Sequence, residues 1–347
     1  MQRITALHIL SAMLLWCAAG ISQSTESSAK ILPIDLYRNY LIVVRGSIGP
    51  LQNRHFIIDT GAYPTVISPQ IAKKLHLSGH KEQVRVLGRN MDSDVVYVPL
   101  LQLGPLQSKN LRVVVKDLGV FDRHLGLEVD AMVGLDVLRQ SNFRIDYRER
   151  KLIFGPTGSL PFATPIRWDA NDANKACIDV EVNGEARSLL LDSGAADITL
   201  FQRKFAELAR EPSQGWASAN LGGAFHLRQI RLRNLGAAGS KLGAREVFLS
   251  DTDNMSPFAF EGLLAIGTER FRQVEFDFEH QTFSWEPVKW RAPDSSVAQA
   301  ALTQPNPSAL ASPEDMKSKT SNECGNGSPS DGSSHCDSVG NFSRQEP

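Results

Sequence analysis

Asp59 and Asp192 each close an apolar run and open a turn of small residues: residues 56–62 read FIIDTGA and residues 189–195 read LLLDSGA. One Asp-Thr-Gly recurs by chance. Two copies, each led in by three apolar residues, put two carboxylates at equivalent points of a duplicated chain. Such a pair can hydrolyse an amide without a metal or a covalent intermediate. Two adjacent carboxylates cannot both ionise cheaply, so they hold a shared proton over a wide pH range. The ionised acid then works as a base toward water while the protonated one polarises the carbonyl. The titration belongs to the pair rather than to either residue.

The neighbouring residues suit that chemistry. Gly61 and Gly194 permit a tight turn and a close backbone approach that a Cβ would block, and their N–H groups can donate to the carboxylates. Thr60 and Ser193 carry hydroxyls able to bond across to the opposite loop and hold the two loops in register. The strands FII and LLL root each acid in a core, which makes its support rigid. No metal, nucleotide or other cofactor is implied. Competing chemistries lack their residues. There is no Gly-x-Ser-x-Gly elbow to make Ser193 a nucleophile, and His76 and His80 lack the glutamate of a zinc-protease helix.

The elements that must carry the acids also occur twice. A second apolar stretch ending in Gly follows each motif, DAMVG at Gly134 and GLLAIG at Gly267, with equal separations: 134 − 59 = 75 and 267 − 192 = 75. Each half then ends on a strand built round an acid, FRIDYRERKLIF with Asp146 and VEFDFEHQTFSW with Asp277. The steps from acid to last aromatic are 154 − 146 = 8 and 285 − 277 = 8. Two units of this length describe a fused dimer, not a solenoid. IDVEVNGEARSLLLD reads as a hairpin turning at Asn183-Gly184 and delivering Asp192. YLIVVRG, a Gly49-Pro50 turn and HFIID repeat that plan in the first half. VRVLG with VVYVPL, and the ANLGGAFHLRQIRL region, read as further hairpins. Short helices are expected at SPQIAKKL, LFQRKFAELA and GLDVLRQ. The fold class expected is mainly β with few short helices.

With both motifs in one chain, the sequence resembles the aspartic protease superfamily, specifically its retropepsin-like forms. Asp-Thr-Gly-Ala and Asp-Ser-Gly-Ala match the active-site motif, and the apolar strands ending at Gly134 and Gly267 match the second signature. The resemblance covers about residues 31–290. It implies two homologous closed β-barrel lobes related by a pseudo-dyad, with flap hairpins over the cleft. It also implies Asp59 and Asp192 as the catalytic pair, with Thr60 and Ser193 as loop-locking hydroxyls. Gly88 and Gly222-Gly223 fall 88 − 59 = 29 and 222 − 192 = 30 residues after their acids, where flap tips would lie. Tyr97 is a candidate flap tyrosine. The halves differ after the motif alanine, Tyr63-Pro64 against Ala196-Asp197, and Asp197 either perturbs the pair or faces solvent.

Four segments follow. Residues 1–20 read as an export signal, with Arg3, an apolar run from Ile4 to Trp16, and small residues at 18–20; an uncleaved anchor is the competing reading. Residues 31–158 and 159–290 are the two lobes, joined through the turn-rich GPTGSLP. Residues 292–347, rich in Ser, Pro and Asn, have too few large apolar residues to fold. A net charge of −1 gives no electrostatic footprint for nucleic acid or an anionic membrane. Cys177 sits in an apolar strand as packing, while Cys324 and Cys336 can close a loop after export.

The reading is a secreted or periplasmic aspartic endopeptidase acting on an extended peptide or protein substrate. No nucleic acid is involved, no stable membrane span remains after signal removal, and dimerisation is not required. The alternative is a non-catalytic or highly specialised peptide-binding module on the same fold. A more distant one is a cell-envelope protein that makes its contacts through the tail.

Overall fold

The computed structural model describes residues 30–86, 89–155, 158, 160–220, 223–251, 258–267 and 271–288. The expected signal at 1–20, the tail at 292–347, and Gly88 and Gly222 lie outside them.

The first half contributes β1 (Lys30–Pro33), β2 (Asp35–Tyr37), β3 (Leu41–Ile48), β4 (Leu51–Ile58), β5 (Val66–Ile67), β6 (His80–Val86), β7 (Arg89–Leu103), β8 (Leu106–Val115), β9 (Ala131–Val133), β10 (Phe143–Asp146) and β11 (Lys151–Phe154). Its helices are α1 (Pro69–Lys74), α2 (Gly119–Leu125) and α3 (Leu135–Leu138). The second half contributes β12 (Phe162–Pro165), β13 (Arg167–Asp169), β14 (Asp172–Val182), β15 (Glu185–Asp192), β16 (Thr199–Phe201), β17 (Gln214–Asn220), β18 (Gly223–Leu232), β19 (Leu235–Ala237), β20 (Ser240–Lys241), β21 (Arg245–Ser250), β22 (Gly262–Ala265), β23 (Phe271–Asp277) and β24 (Thr282–Pro287). The protein is mainly β, as its sequence pattern requires.

Local chemistry explains most boundaries. Asn183 and Gly184 take φ of 51° and 92°, the left-handed pair that a tight β14–β15 hairpin needs. Helix α1 starts where Ser68 accepts from the Ile71 N–H and Pro69 occupies the first turn, and it ends on Lys73 and Lys74. The helix expected over LFQRKFAELA does not form. Leu200 and Phe201 are drawn into β16, which pairs with β21 and β22. Only two 3₁₀ turns follow, Gln202–Lys204 and Leu208–Arg210. Phe205 between them leaves helical geometry at φ −129°, ψ 55°. Tertiary pairing outweighs the helical spacing of this segment.

Each acid-bearing strand has the same surroundings. β4 runs parallel to β9, and β15 runs parallel to β22. β5 and β16 cross antiparallel on the far side of those partners. In the first half the pairing path β3-β4-β9-β5-β8-β7 returns to β3 through Ser47 opposite Gln102 and Ile48 opposite Leu101. In the second half the path β17-β18-β21-β16-β22-β15-β14-β19-β20 ends without returning among the described residues.

The register corrects one equivalence. Ile58 pairs with Val133 and Leu191 with Leu264, each one residue before its acid. The counterpart of Gly134 is therefore Ala265. Gly267 lies two residues further on, and the equal 75-residue spacing does not mark structural equivalents. A shorter route from acid to strand in the second half absorbs the difference.

A third sheet joins the halves in the order β1-β11-β10-β23-β24-β12, three strands from each. Asp146 opposite Lys151 and Asp277 opposite Thr282 close equivalent hairpins, so the eight-residue step is a true repeat. Phe143 and Phe276 face each other across the central β10–β23 pair, with rings 4.7 Å apart and 23° from parallel. These rings belong to a buried cluster that runs through both halves and includes Phe154, Phe283 and Trp285. The acid loops are thus mounted on one continuous core.

Candidate active site

Strand β4 ends at Ile58 and Asp59 follows it; Asp192 is the last residue of β15. Asp59 Oδ1 accepts the Gly61 and Ala62 N–H groups at 2.8 and 3.1 Å. Asp192 Oδ1 accepts those of Gly194 and Ala195 at 2.8 and 2.9 Å. Each carboxylate is held by its own turn through one oxygen, and the carboxyl group as a whole lies against the opposite glycine. A Cβ on Gly61 would lie 2.8 Å from Asp192 Oδ2, and one on Gly194 would lie 2.7 Å from Asp59 Oδ2. The two acids therefore stand face to face, and neither loop tolerates a side chain at its glycine.

Thr60 and Ser193, both fully buried, tie the loops together. The Thr60 hydroxyl donates to the Leu191 carbonyl at 2.9 Å and accepts the Ser193 N–H at 3.0 Å. The Ser193 hydroxyl donates to the Ile58 carbonyl at 2.9 Å and accepts the Thr60 N–H at 3.0 Å. Each hydroxyl uses one donation and one acceptance, and the four bonds form a two-fold symmetric lattice under the acids.

Burial pushes both acids up. Asp59 is raised by desolvation, against the opposing pull of Lys175, the Gly61 and Ala62 N–H groups and a hydrogen bond with the Asp192 side chain. Asp192 is pushed up to about 8, by desolvation first and then by the Asp59 charge. Two facing buried carboxylates cannot both ionise cheaply.

Three features of the site carry no motif. Lys175, on β14, is buried and donates from Nζ to the Gly61 carbonyl at 2.7 Å, within the first acid loop. Tyr40 packs against Gly267, and desolvation, Asp197 and Asp192 raise its phenol against the pull of Arg38. Asp197 is thus half-buried within electrostatic reach of Tyr40. Asp136 accepts the Thr65 N–H at 2.8 Å and hydroxyl at 2.6 Å, and that hydroxyl accepts the Gly134 N–H at 3.1 Å. This chain pins the segment after Asp59 to the start of α3. Burial raises Asp136 despite those bonds.

Two hairpins flank the positions expected as flap tips, of which Gly88 and Gly222 lie outside the described residues. The β6–β7 ladder ends at Val86 opposite Arg89, and the β17–β18 ladder ends at Asn220 opposite Gly223. Gly223 is the first residue of β18. Tyr97 is exposed on β7 opposite Arg112 rather than turned inward. Cys177 is a buried thiol that burial pushes up to about 12, so it is packing rather than a nucleophile.

Residues 44–137 match the model of a family described as aspartyl protease. The matched stretch holds Asp59, Thr60, Gly61 and Gly134, and the second motif lies beyond it. No curated protein matches the chain. The match supports a retropepsin-like superfamily and a protease-type hydrolytic function.

Proposed function

We propose that the protein is a single-chain aspartic endopeptidase in which Asp59 and Asp192 form the catalytic pair. The observation that carries this reading is reciprocal: each motif glycine leaves room for the other motif's carboxylate. A turn aspartate with a structural task alone has no need of that second contact.

In the first step the ionised carboxylate takes a proton from water as the water oxygen bonds to the scissile carbon. The protonated partner delivers its proton to the carbonyl oxygen. In the second step the C–N bond breaks and the nitrogen takes back the proton held by the first acid. The second acid recovers the hydroxyl proton, and the pair returns to its starting state. The symmetric Thr60–Ser193 lattice keeps the carboxylates in place throughout, so little reorganisation is needed.

The substrate is an extended peptide lying beneath the β6–β7 and β17–β18 hairpins, held through main-chain bonds. Residues 31–158 and 159–290 act as the two lobes, so one chain supplies both acids and dimerisation is unnecessary. Export by residues 1–20 places the enzyme outside the cytoplasm. No helix among the described residues is long and apolar enough to cross a membrane.

The test is cleavage of a diverse peptide mixture from acid to neutral pH, beside Asp59→Asn and Asp192→Asn. Loss of cleavage in both variants, with folding intact, supports the pair. Cleavage surviving both substitutions overturns the pair, and no cleavage by the unmutated protein at any pH points instead to a peptide-binding module.

A further inference from the structure

The two acid loops are near-symmetric, but one neighbour breaks the symmetry. In the hairpin before each motif, Val44 pairs with Phe56 and Ile178 with Leu189. Phe56 and Leu189 each lie three residues before their acids, so Val44 and Ile178 are counterparts. Three residues back along each strand stand Leu41 in the first half and Lys175 in the second. Leu41 is 3% exposed and Lys175 8%. The first half has a buried leucine where the second has a buried lysine beside the acids.

The lysine's place is specific. Its ammonium donates to the Gly61 carbonyl at 2.7 Å, and the same residue's N–H donates to Asp59 Oδ1 at 2.8 Å. The charge is therefore bonded to the loop that carries Asp59. Burial pulls its ammonium below the ordinary lysine range, against the opposing pull of Asp172, Asp59, Asp192 and the Cys177 thiol. Asp172 turns one oxygen to the Asn174 N–H and side-chain amide at 3.1 and 3.0 Å. Lys175 pulls both acids down against burial, and its hydrogen bond is to the loop of Asp59.

We infer that Lys175 sets the polarity of the pair, keeping Asp59 as the anion that takes the proton from water and leaving the shared proton on Asp192. A symmetric dyad has no such preference, because either acid can hold the proton. Here an ammonium bonded to one loop decides it, and the water and the scissile carbonyl must approach in one orientation. Lys175 touches neither water nor substrate in this scheme, so it is a positioning residue. The inference rests on the proposed proteolytic function only in its kinetic consequence; the order of ionisation can be read without turnover.

The experiment uses the full-length mature protein and the variants Lys175→Met and Lys175→Arg. The pH profile of kcat/KM for a cleaved peptide should keep its shape in Lys175→Met. Its acid limb should move up by about one pH unit or more, as expected when an opposite charge near a carboxylate is removed. The alkaline limb should move less. Lys175→Arg should restore the acid limb toward its original position, which a merely structural role would not require. An acid limb that stays put in Lys175→Met overturns the inference and leaves the proteolytic reading intact.

A carboxyl titration by ¹³C NMR, with Asp59→Asn and Asp192→Asn for assignment, serves if the protein cleaves nothing or if Lys175→Met fails to fold. Asp59 should ionise first in the unmutated protein. Ionisation of Asp192 first would overturn the inference whatever the protein does to peptides.

Discussion

Gly61 and the Asp192 carboxylate occupy adjoining space: a Cβ on Gly61 would lie 2.7 Å from Asp192 Cγ, closer than real carbon atoms approach. The same holds for Gly194 and Asp59, with 2.8 Å to Cγ. Each half thus sets the position of the other half's acid through the absence of a side chain. Gly61→Ala and Gly194→Ala should both force their loops apart. Overpacking of this kind costs about 1–3 kcal/mol of stability. A carboxylate displaced by about an ångström should lose about 100-fold in kcat/KM. Thermal unfolding and peptide-cleavage kinetics on the two variants check this. Near-normal activity in either would show that the loops can yield.

The Thr60–Ser193 lattice predicts a coupling. Thr60→Val removes a donor to the Leu191 carbonyl and an acceptor for the Ser193 N–H. Ser193→Ala does the same to the Ile58 carbonyl and the Thr60 N–H. The groups left behind are buried, so each single change should cost about 2 kcal/mol or more. The double variant should cost clearly less or more than the sum, because the residues share partners. Urea unfolding of the four species gives the cycle, and simple additivity would mean the two hydroxyls act independently.

The pH dependence of stability has a definite direction. Asp192 is raised from 3.8 to about 8, and Asp59 is raised as well. An acid of this kind binds its proton more tightly in the native state than in the unfolded chain. Its contribution is fully present below the unfolded value and is lost as pH rises through the native one. Between roughly pH 4 and 8 Asp192 therefore makes stability decline, and Asp59 acts in the same direction. Asp192→Asn removes the ionisation, should flatten that decline, and should leave the variant more stable near pH 7 by on the order of 2 kcal/mol. Denaturant melts at several pH values settle the point; a variant that loses stability at every pH would contradict it.

The parts of this site that were legible in the sequence are those set by local chemistry. The paired acids, their glycines and hydroxyls form contiguous motifs. The Asn183-Gly184 turn follows from residues that tolerate left-handed backbone. The hairpins ending near Gly88 and Gly222 follow from alternation on both sides. Lys175 was not legible. It lies in Lys175-Ala176-Cys177-Ile178, buried throughout, and a lone lysine at the head of an apolar run reads as a solvated strand end. Only the pairing of β14 with β15 turns it toward the acids. The Thr65–Asp136 link was hidden because 71 residues separate its partners. Gly267 was misplaced as the counterpart of Gly134 because spacing counts residues, whereas equivalence is decided by register.

The last prediction concerns the sheet that joins the halves. Arg144 of β10 donates from Nε and Nη2 to one oxygen of Glu275 of β23, at 2.9 and 2.5 Å. The two residues are register partners across the central strand pair. Their side chains are 18% and 6% exposed, so neither charge has ready access to water. Side-chain amides donate hydrogen bonds reciprocally beside them, Gln273 Nε2 to Asp146 Oδ2 at 2.5 Å and Asn142 Nδ2 to Asp277 Oδ1 at 2.9 Å. Arg144→Met strands a buried carboxylate and should cost about 3 kcal/mol or more. Adding Glu275→Leu should recover most of that, because two packed apolar side chains need no partner charge. The activity of the double variant should stay within about tenfold of the original, since the acid loops rest on β4, β9, β15 and β22 rather than on this pair. Chemical denaturation and cleavage assays on the three proteins test both statements. A double variant as unstable as Arg144→Met would show that the ion pair does more than satisfy itself.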